Sequence, residues 1–374
     1  MIYLDYSATT KVDEEVLNTY NEVSRNYFFN YNSPYSTREK KLALDSINQM
    51  KDILSLDNYD FIMTSSGTES NNLALKGISH FKYKRIVSTR KEHSSIKEVL
   101  KLFEDEGFDV IYLDLDENYK VDLNKLKEIL DTGVDLVTIS AVDSEIGVME
   151  DISSISNLIA NYDNTLFHVD ATGAVGKIKI DFRNADLITF TGHKFFAPKG
   201  CSILAKKEGV NLIPLINGGS SLTPYRSGTV DLPALVSLSK ALRLAYNDND
   251  NKYNYVKELN NDLRLFFKDY SFIHINSPSN SIPYILNVSF KGVKIESFIN
   301  YMFNKGVILS TKSACSSDDS YSEIVYHLTN DMNLAKTSFR ISLSYKTSRE
   351  EINKFKEIFK EAYLYFLKFI DNNN

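Results

Sequence analysis

Short, continuous apolar runs alternate with amphipathic stretches through the first two-thirds of this 374-residue chain. The runs predict strands over Phe61–Thr64, Ile86–Ser88, Val110–Leu113, Leu136–Ile139, Leu166–Asp170, Leu187–Phe190 and Ile203–Ala205. They do not alternate with polar residues, which is the pattern of strands covered by helices on both faces. Between them Leu123–Leu130 and Ile152–Ala160 carry helical periodicity. That order is βαβ, so an α/β fold with a mostly parallel central sheet is expected.

The pattern changes after about Thr229. Helical stretches at Pro233–Tyr246 and Tyr255–Tyr270 precede a strand at Tyr284–Phe290, a helix at Glu296–Lys305 and strands near Val307–Leu309 and Ser338–Leu343. A last helix opens with Ser348-x-x-Glu351, a capping box. Two domains are expected, a large one over residues 13–250 and a smaller α+β one over 251–374 joined by residues 1–12. The linker is placed near Asp248–Lys252. No stretch reaches the length of a membrane span.

Composition narrows the function classes. A net charge of −6 argues against nucleic acid as the main partner, because phosphate neutralisation needs clustered Lys and Arg. Two cysteines, Cys201 and Cys315, imply no disulfide framework and fit a reducing, cytoplasmic setting. The six histidines show no metal-ligand spacing, so no metal is expected.

Three segments carry chemistry. Thr64-Ser-Ser-Gly-Thr-Glu69 turns from a strand into a helix, with Ser66-x-x-Glu69 as a second capping box. Such an N-terminus suits a phosphate, although capped helices after strands are also ordinary. Asp170 ends a buried strand, either as a loop carboxylate or as partner to a buried cationic nitrogen. Lys194 follows another apolar strand; an ammonium is seldom buried, so it is either at the surface or functional.

Together with Tyr3-Leu-Asp-Tyr-Ser-Ala-Thr-Thr, Glu92-His93, Glu145-Ile-Gly, Arg226-Ser-Gly-Thr229, Ser313-Ala-Cys315-Ser and Arg340-Ile-Ser-Leu, these segments resemble the class V aminotransferases. Within that family the chain is most similar to the cysteine desulfurases. The resemblance implies a fold-type I enzyme dependent on pyridoxal 5'-phosphate. Lys194 would carry the cofactor as a Schiff base, Asp170 would hold its ring nitrogen, and His93 would stack on the ring and assist proton transfer. Gly67, Thr68, Thr191 and His193 would hold the phosphate. Thr229 would reach the phosphate of a neighbouring subunit, which implies a homodimer. Arg340 would clamp the carboxylate of L-cysteine. Cys315, among small polar residues, would take the sulfur as a persulfide and pass it to an acceptor protein, leaving L-alanine. Cys201, heading an apolar strand, would be inert.

Several positions depart from the family pattern. Gly173 stands where a glutamine is usual, and Ser144 where an asparagine is usual. Ser144 or a water is expected to fill the gap this leaves, with Ser144 facing cofactor and substrate. Tyr6, Thr37, Ala197 and Lys312 replace a usual Asn, His, Gly and Gly. These changes keep two alternatives open: a lyase or aminotransferase acting on another amino acid, and a non-catalytic interaction paralogue.

Overall fold

The computed structural model describes residues 1–219, 221–311 and 321–370, so Lys312 and Cys315 lie outside the described residues. From the N-terminus the elements are β1 (Ile2–Tyr3), α1 (Glu14–Asn26), α2 (Thr37–Leu54), β2 (Tyr59–Thr64), α3 (Gly67–Lys76) and β3 (Arg85–Ser88). Next come α4 (Ser94–Asp105), β4 (Asp109–Tyr112), α5 (Leu123–Leu130), β5 (Leu136–Ser140), α6 (Ile152–Ile159) and β6 (Leu166–Asp170). Then follow β7 (Leu187–Thr191), β8 (Ser202–Lys207), α7 (Leu232–Tyr246), α8 (Asn249–Phe267), β9 (Ile273–Ile275) and β10 (Ile285–Phe290). The chain continues through α9 (Ile295–Asn304), β11 (Val307–Ile308), α10 (Glu323–Thr329), α11 (Met332–Lys336), β12 (Ser338–Ser342) and α12 (Arg349–Ile370).

Two compact units emerge. One comprises Thr10–Val142 and Glu150–Asn247; the other comprises Met1–Thr9, Asp143–Met149 and Asp248–Asn374. The segment 143–149, expected inside the large domain, thus groups with the chain's two terminal stretches.

In the larger unit seven strands form one sheet in the order β2-β8-β7-β6-β5-β3-β4. The pairings from β7 through β4 are parallel, while β8 runs antiparallel to both neighbours. The mostly parallel sheet expected from the apolar runs is therefore present. The exception has a simple cause: only residues 192–201 join β7 to β8, too few for a crossover helix. Every residue of β5 and β7 is buried. Leu73 and Leu75 of α3 pack with Ile86, Leu136, Leu187 and Leu204 of the sheet, which fixes where that helix begins.

A short 3-10 turn, Gly192–Lys194, follows β7. A Cβ at Gly192 would lie 2.6 Å from Leu238 Cδ1 and 2.7 Å from Ala197 Cβ, so only glycine fits there. The turn is thereby pressed against α7, and Lys194 leaves it at a fixed point.

In the smaller unit β12, β10 and β9 form an antiparallel sheet, and β1 pairs in parallel with β11. Its core is aromatic: Phe267, Phe290, Phe298, Phe355 and Phe359 are all buried. The capping box of α12 is reciprocal, Glu351 N donating to Ser348 Oγ (3.1 Å) and Ser348 N to Glu351 Oε2 (2.8 Å). The expected linker at Asp248–Lys252 is corrected, because α8 begins at Asn249. Two residues separate it from α7: Asn247, with extended backbone, and Asp248, in the left-handed conformation (φ 57°) that Asp tolerates better than most residues.

Candidate active site

The larger unit gathers its functional side chains at the C-terminal ends of the parallel strands, where α/β sheets place ligands. Asp170 ends β6 and is 6% exposed. Its Oδ1 accepts from Thr172 N (2.9 Å) and its Oδ2 from Asn71 Nδ2 (2.9 Å), so the carboxylate cannot rotate. Two residues earlier, on the same face of the strand, His168 is fully buried. Its Nδ1 lies 2.8 Å from Thr138 Oγ1 and its Nε2 3.1 Å from Thr189 Oγ1. Burial pulls its pKa down to about 4, against the attraction of Asp170, so the ring is neutral at pH 7.

His93 caps α4, with Nδ1 accepting from Ser95 N (3.1 Å) and lying 2.9 Å from Ser95 Oγ. Burial lowers its pKa, Asp170 opposes that shift, and Lys194 and Lys97 add to it. Asp170 and Lys194 thus both act electrostatically on His93. His193, in the turn that carries Lys194, has its pKa pulled down to about 4 by burial, with Lys194, Lys199 and Lys177 contributing. Thr10 ties this turn down, donating from its N–H (2.9 Å) and Oγ1 (3.0 Å) to the carbonyl of His193.

At the start of α3, Ser66 Oγ accepts from Glu69 N (3.1 Å). The other half of the expected capping box differs: Glu69 Oε2 accepts from Ser65 N (2.8 Å) and Ser65 Oγ, one residue further back. Arg226 Nε holds Glu69 Oε1 at 3.0 Å, which draws that carboxylate aside from the helix end. Gly67 and Thr68 form the first turn, whose amides have no acceptor within the helix. A Cβ built on Gly67 would lie 3.6 Å from Thr172 Oγ1 and 3.9 Å from Thr191 Cβ, so these three residues converge. Thr191 is buried and its Oγ1 accepts from Ser202 Oγ (2.6 Å). Thr229 lines a cleft of about 190 Å³ with Thr64, Ser65, Ser221, Thr223 and Arg226.

A Cβ at Gly173 would already meet Val142 Cβ and the Val142 carbonyl oxygen, each at 3.2 Å. The space next to that position is filled by a β-branched side chain, so glutamine would have to displace it.

Glu92, beside His93, is fully buried with Oε1 accepting from Thr89 Oγ1 (2.7 Å) and Oε2 from Ser140 Oγ. It bolts the end of β3 to the end of β5. Burial pushes its pKa up to about 7, while the two hydroxyls and Lys91 pull the other way. Between the ordinary value of 4.5 and about 7 the folded state holds a proton that the unfolded chain has lost. Stability therefore falls as pH rises through that window. The expected contribution is on the order of 2–3 kcal/mol. Urea unfolding at about pH 5 and about pH 8 should show this loss, and Glu92→Gln should abolish most of it. Equal slopes in the two proteins would contradict the assignment.

Arg340 and Ser144 belong to the smaller unit. Arg340 is 3% exposed; its Nη1 donates to the Ser144 carbonyl (2.8 Å) and its Nη2 to Asp5 Oδ1 (2.9 Å). Asp5 Oδ1 also accepts from Ser310 Oγ (2.9 Å). The buried Nε of Arg340 has no hydrogen-bond partner, leaving one edge of the fork with an unused donor. Ser144 thus meets Arg340 through its backbone oxygen. Glu145 Oε2 accepts from Ser322 Oγ (2.6 Å), the residue that caps α10.

Cys201 is buried, and burial pushes its thiol up, so it holds little thiolate. Among the described residues no group of His, Cys, Asp and Glu could hold a metal ion, and no helix is long and apolar enough to cross a membrane.

Asn71, Ser95 and Thr172 were not anticipated as site residues. Each stands two positions beyond a residue the sequence had singled out: Asn71 after Glu69, Ser95 after His93 and Thr172 after Asp170.

Known proteins are similar to this chain over nearly its whole length. The chain is 34% identical to a NifS/IcsS protein homolog of Lactobacillus delbrueckii subsp. bulgaricus, over 98% of each chain. It is 36% identical to a cysteine desulfurase IscS of Buchnera aphidicola subsp. Baizongia pistaciae, covering 94% of this chain and 90% of that one. A solved NifS-like protein superposes with a TM-score of 0.90 over 98% of this chain and 99% of its own, at 27% identity. The family model described as aminotransferase class-V matches residues 2–355. With that span matched and relatives aligned nearly end to end, the chain belongs to the class V aminotransferase family.

Proposed function

We propose that this chain is a cysteine desulfurase dependent on pyridoxal 5'-phosphate, converting L-cysteine to L-alanine and storing the sulfur as a persulfide on Cys315. The observation that carries the reading is the Asp170 carboxylate, buried at a strand end with each oxygen held by one donor. A fixed buried carboxylate suits a cationic ring nitrogen. The bare Gly67 backbone at a helix N-terminus, facing Thr172 and Thr191, suits a phosphate. The residues present therefore fit the cofactor, with Gly67, Thr68, Thr191 and His193 at its phosphate and Thr229 serving a neighbouring subunit's. When bound, the cofactor supplies an electron sink for charge developing at the substrate α-carbon.

Lys194 supplies the primary amine that anchors the cofactor and takes the α-proton. Arg340 holds the substrate carboxylate through its planar fork, with Ser144 beside it. The Cys315 thiolate attacks the substrate sulfur; the new S–S bond forms as the carbon–sulfur bond breaks, and the carbon skeleton leaves, protonated, as alanine. The persulfide then passes to an acceptor protein, and a cytoplasmic homodimer is the form in which we place this activity. Relatives named cysteine desulfurase, aligned over nearly the whole chain, support this substrate over another amino acid.

The test is to supply L-cysteine to the cofactor-loaded protein and to Cys315→Ala. Alanine and protein-bound persulfide should form in the first and be lost in the second. A loaded protein that yields neither product would leave the cofactor reading standing and turn the search to other amino acids.

A further inference from the structure

Asn71 and Ser95 lie between two residues of the proposed site without belonging to either. Asn71 is 1% exposed, and its Nδ2 donates to Asp170 Oδ2 and to Ser95 Oγ, both at 2.9 Å. The carboxylate oxygen only accepts, which sets the orientation of the Asn71 amide. Ser95 Oγ, having accepted from Asn71, lies 2.9 Å from His93 Nδ1. The backbone N–H of Ser95, which can only donate, meets the same nitrogen at 3.1 Å. Nδ1 is therefore an acceptor, and the hydroxyl proton of Ser95 points at it. The single proton of the neutral ring is left on Nε2.

We propose that Asn71 and Ser95 are positioning residues that hold His93 as its neutral Nε2–H tautomer and tie it to the Asp170 carboxylate. Protonating Nδ1 would break the bond from Ser95 N–H and turn the Ser95 hydroxyl away, with Asn71 already donating to its oxygen. Hydrogen bonds to the neutral form resist protonation. The charged groups acting on the ring are Asp170 of β6, Lys194 of the turn after β7 and Lys97 of α4, with Glu92 next in the chain. Asp170 favours a charged ring and the two lysines disfavour it. On the desulfurase reading, on which this consequence rests, His93 is a proton donor at Nε2, and removal of the α-proton falls to Lys194.

The test uses the full chain as purified, labelled with ¹⁵N-histidine, with the His93 signals identified by their loss in His93→Gln. In the unsubstituted protein near neutral pH, Nδ1 should give a pyridine-like resonance and Nε2 a protonated one. Ser95→Ala removes one donor to Nδ1 and should raise the midpoint of His93 protonation by about one pH unit. Ser95→Thr, which keeps the hydroxyl, should restore it. Asn71→Asp gives Ser95 an acceptor in place of a donor, so its midpoint should rise at least as far as in Ser95→Ala. A ring protonated on Nδ1, or a midpoint unmoved in Ser95→Ala, overturns the proposal. Alanine formation is assayed separately, so a protein that shows the tautomer but no desulfuration sinks the activity and leaves the relay standing.

Discussion

Replacing Lys194 with alanine is expected to lower alanine release from L-cysteine by on the order of 10²–10⁴-fold or more, the scale on which proton transfer and covalent participation act. The reason lies in how the side chain is delivered. Gly192 cannot accept a Cβ without striking Leu238 and Ala197, and Thr10 pins the His193 carbonyl, so the backbone at Lys194 is held before any ligand arrives. Lys194→Arg should fare little better, because a guanidinium does not give up its proton near neutral pH. The cofactor should also dissociate from Lys194→Ala on gel filtration, with loss of the visible absorbance that the parent protein retains. Turnover within a few fold of the parent would remove Lys194 from the mechanism.

The largest expected effect on stability comes from a pair that touches no substrate. Lys91 and Glu150 form an ion pair in which each side chain is 1% exposed. Lys91 Nζ also donates to the Tyr119 carbonyl (3.1 Å), and Glu150 Oε2 accepts from Val121 N (3.1 Å). Removing one partner leaves a charge in the interior without its counterion. Glu150→Ala or Lys91→Ala should therefore each cost about 3–5 kcal/mol. The double replacement Lys91→Met with Glu150→Leu should cost less than either single change, since no charge is stranded. Urea denaturation of the three variants decides it, and single variants within about 1 kcal/mol of the parent would show that water reaches the pair. Because Lys91 precedes Glu92 and His93, the single variants should also loosen the segment that carries the histidine.

What could be read from the chain follows from how each feature is encoded. The sheet strands were legible because helices cover both faces, so burial leaves continuous apolar runs; Leu166–Asp170 has the same bounds in sequence and structure, as does the helix Leu123–Leu130. α1 and α2 gave no comparable signal. Their sequences are mostly polar, and few of their side chains are buried. The relay was illegible for a different reason. Asn71 and Ser95 are neutral, small and 24 positions apart, and they meet only because α3 and α4 pack side by side. Asp5 and Arg340, separated by 335 positions, show the same limit more strongly. Arg340 was readable as a candidate clamp, but not that a carboxylate of the chain already holds one of its amino groups. The segment 143–149 left no trace in composition, because leaving one unit and returning to it changes neither hydropathy nor charge.

That excursion, together with the pairing of residues 2–3 with 307–308, bears on how the polypeptide is made. A ribosome delivers residues 2–9 first, yet Ile2 finds Val307, Ser7 N finds Ser342 Oγ, and Asp5 finds Arg340 only after some three hundred further residues have emerged. The larger unit can close on itself once residue 247 is out. The leading segment must wait beside it, its backbone donors solvated, until the trailing strands arrive. Nascent chains arrested before Arg340 should therefore carry a protease-sensitive leader on an already resistant body.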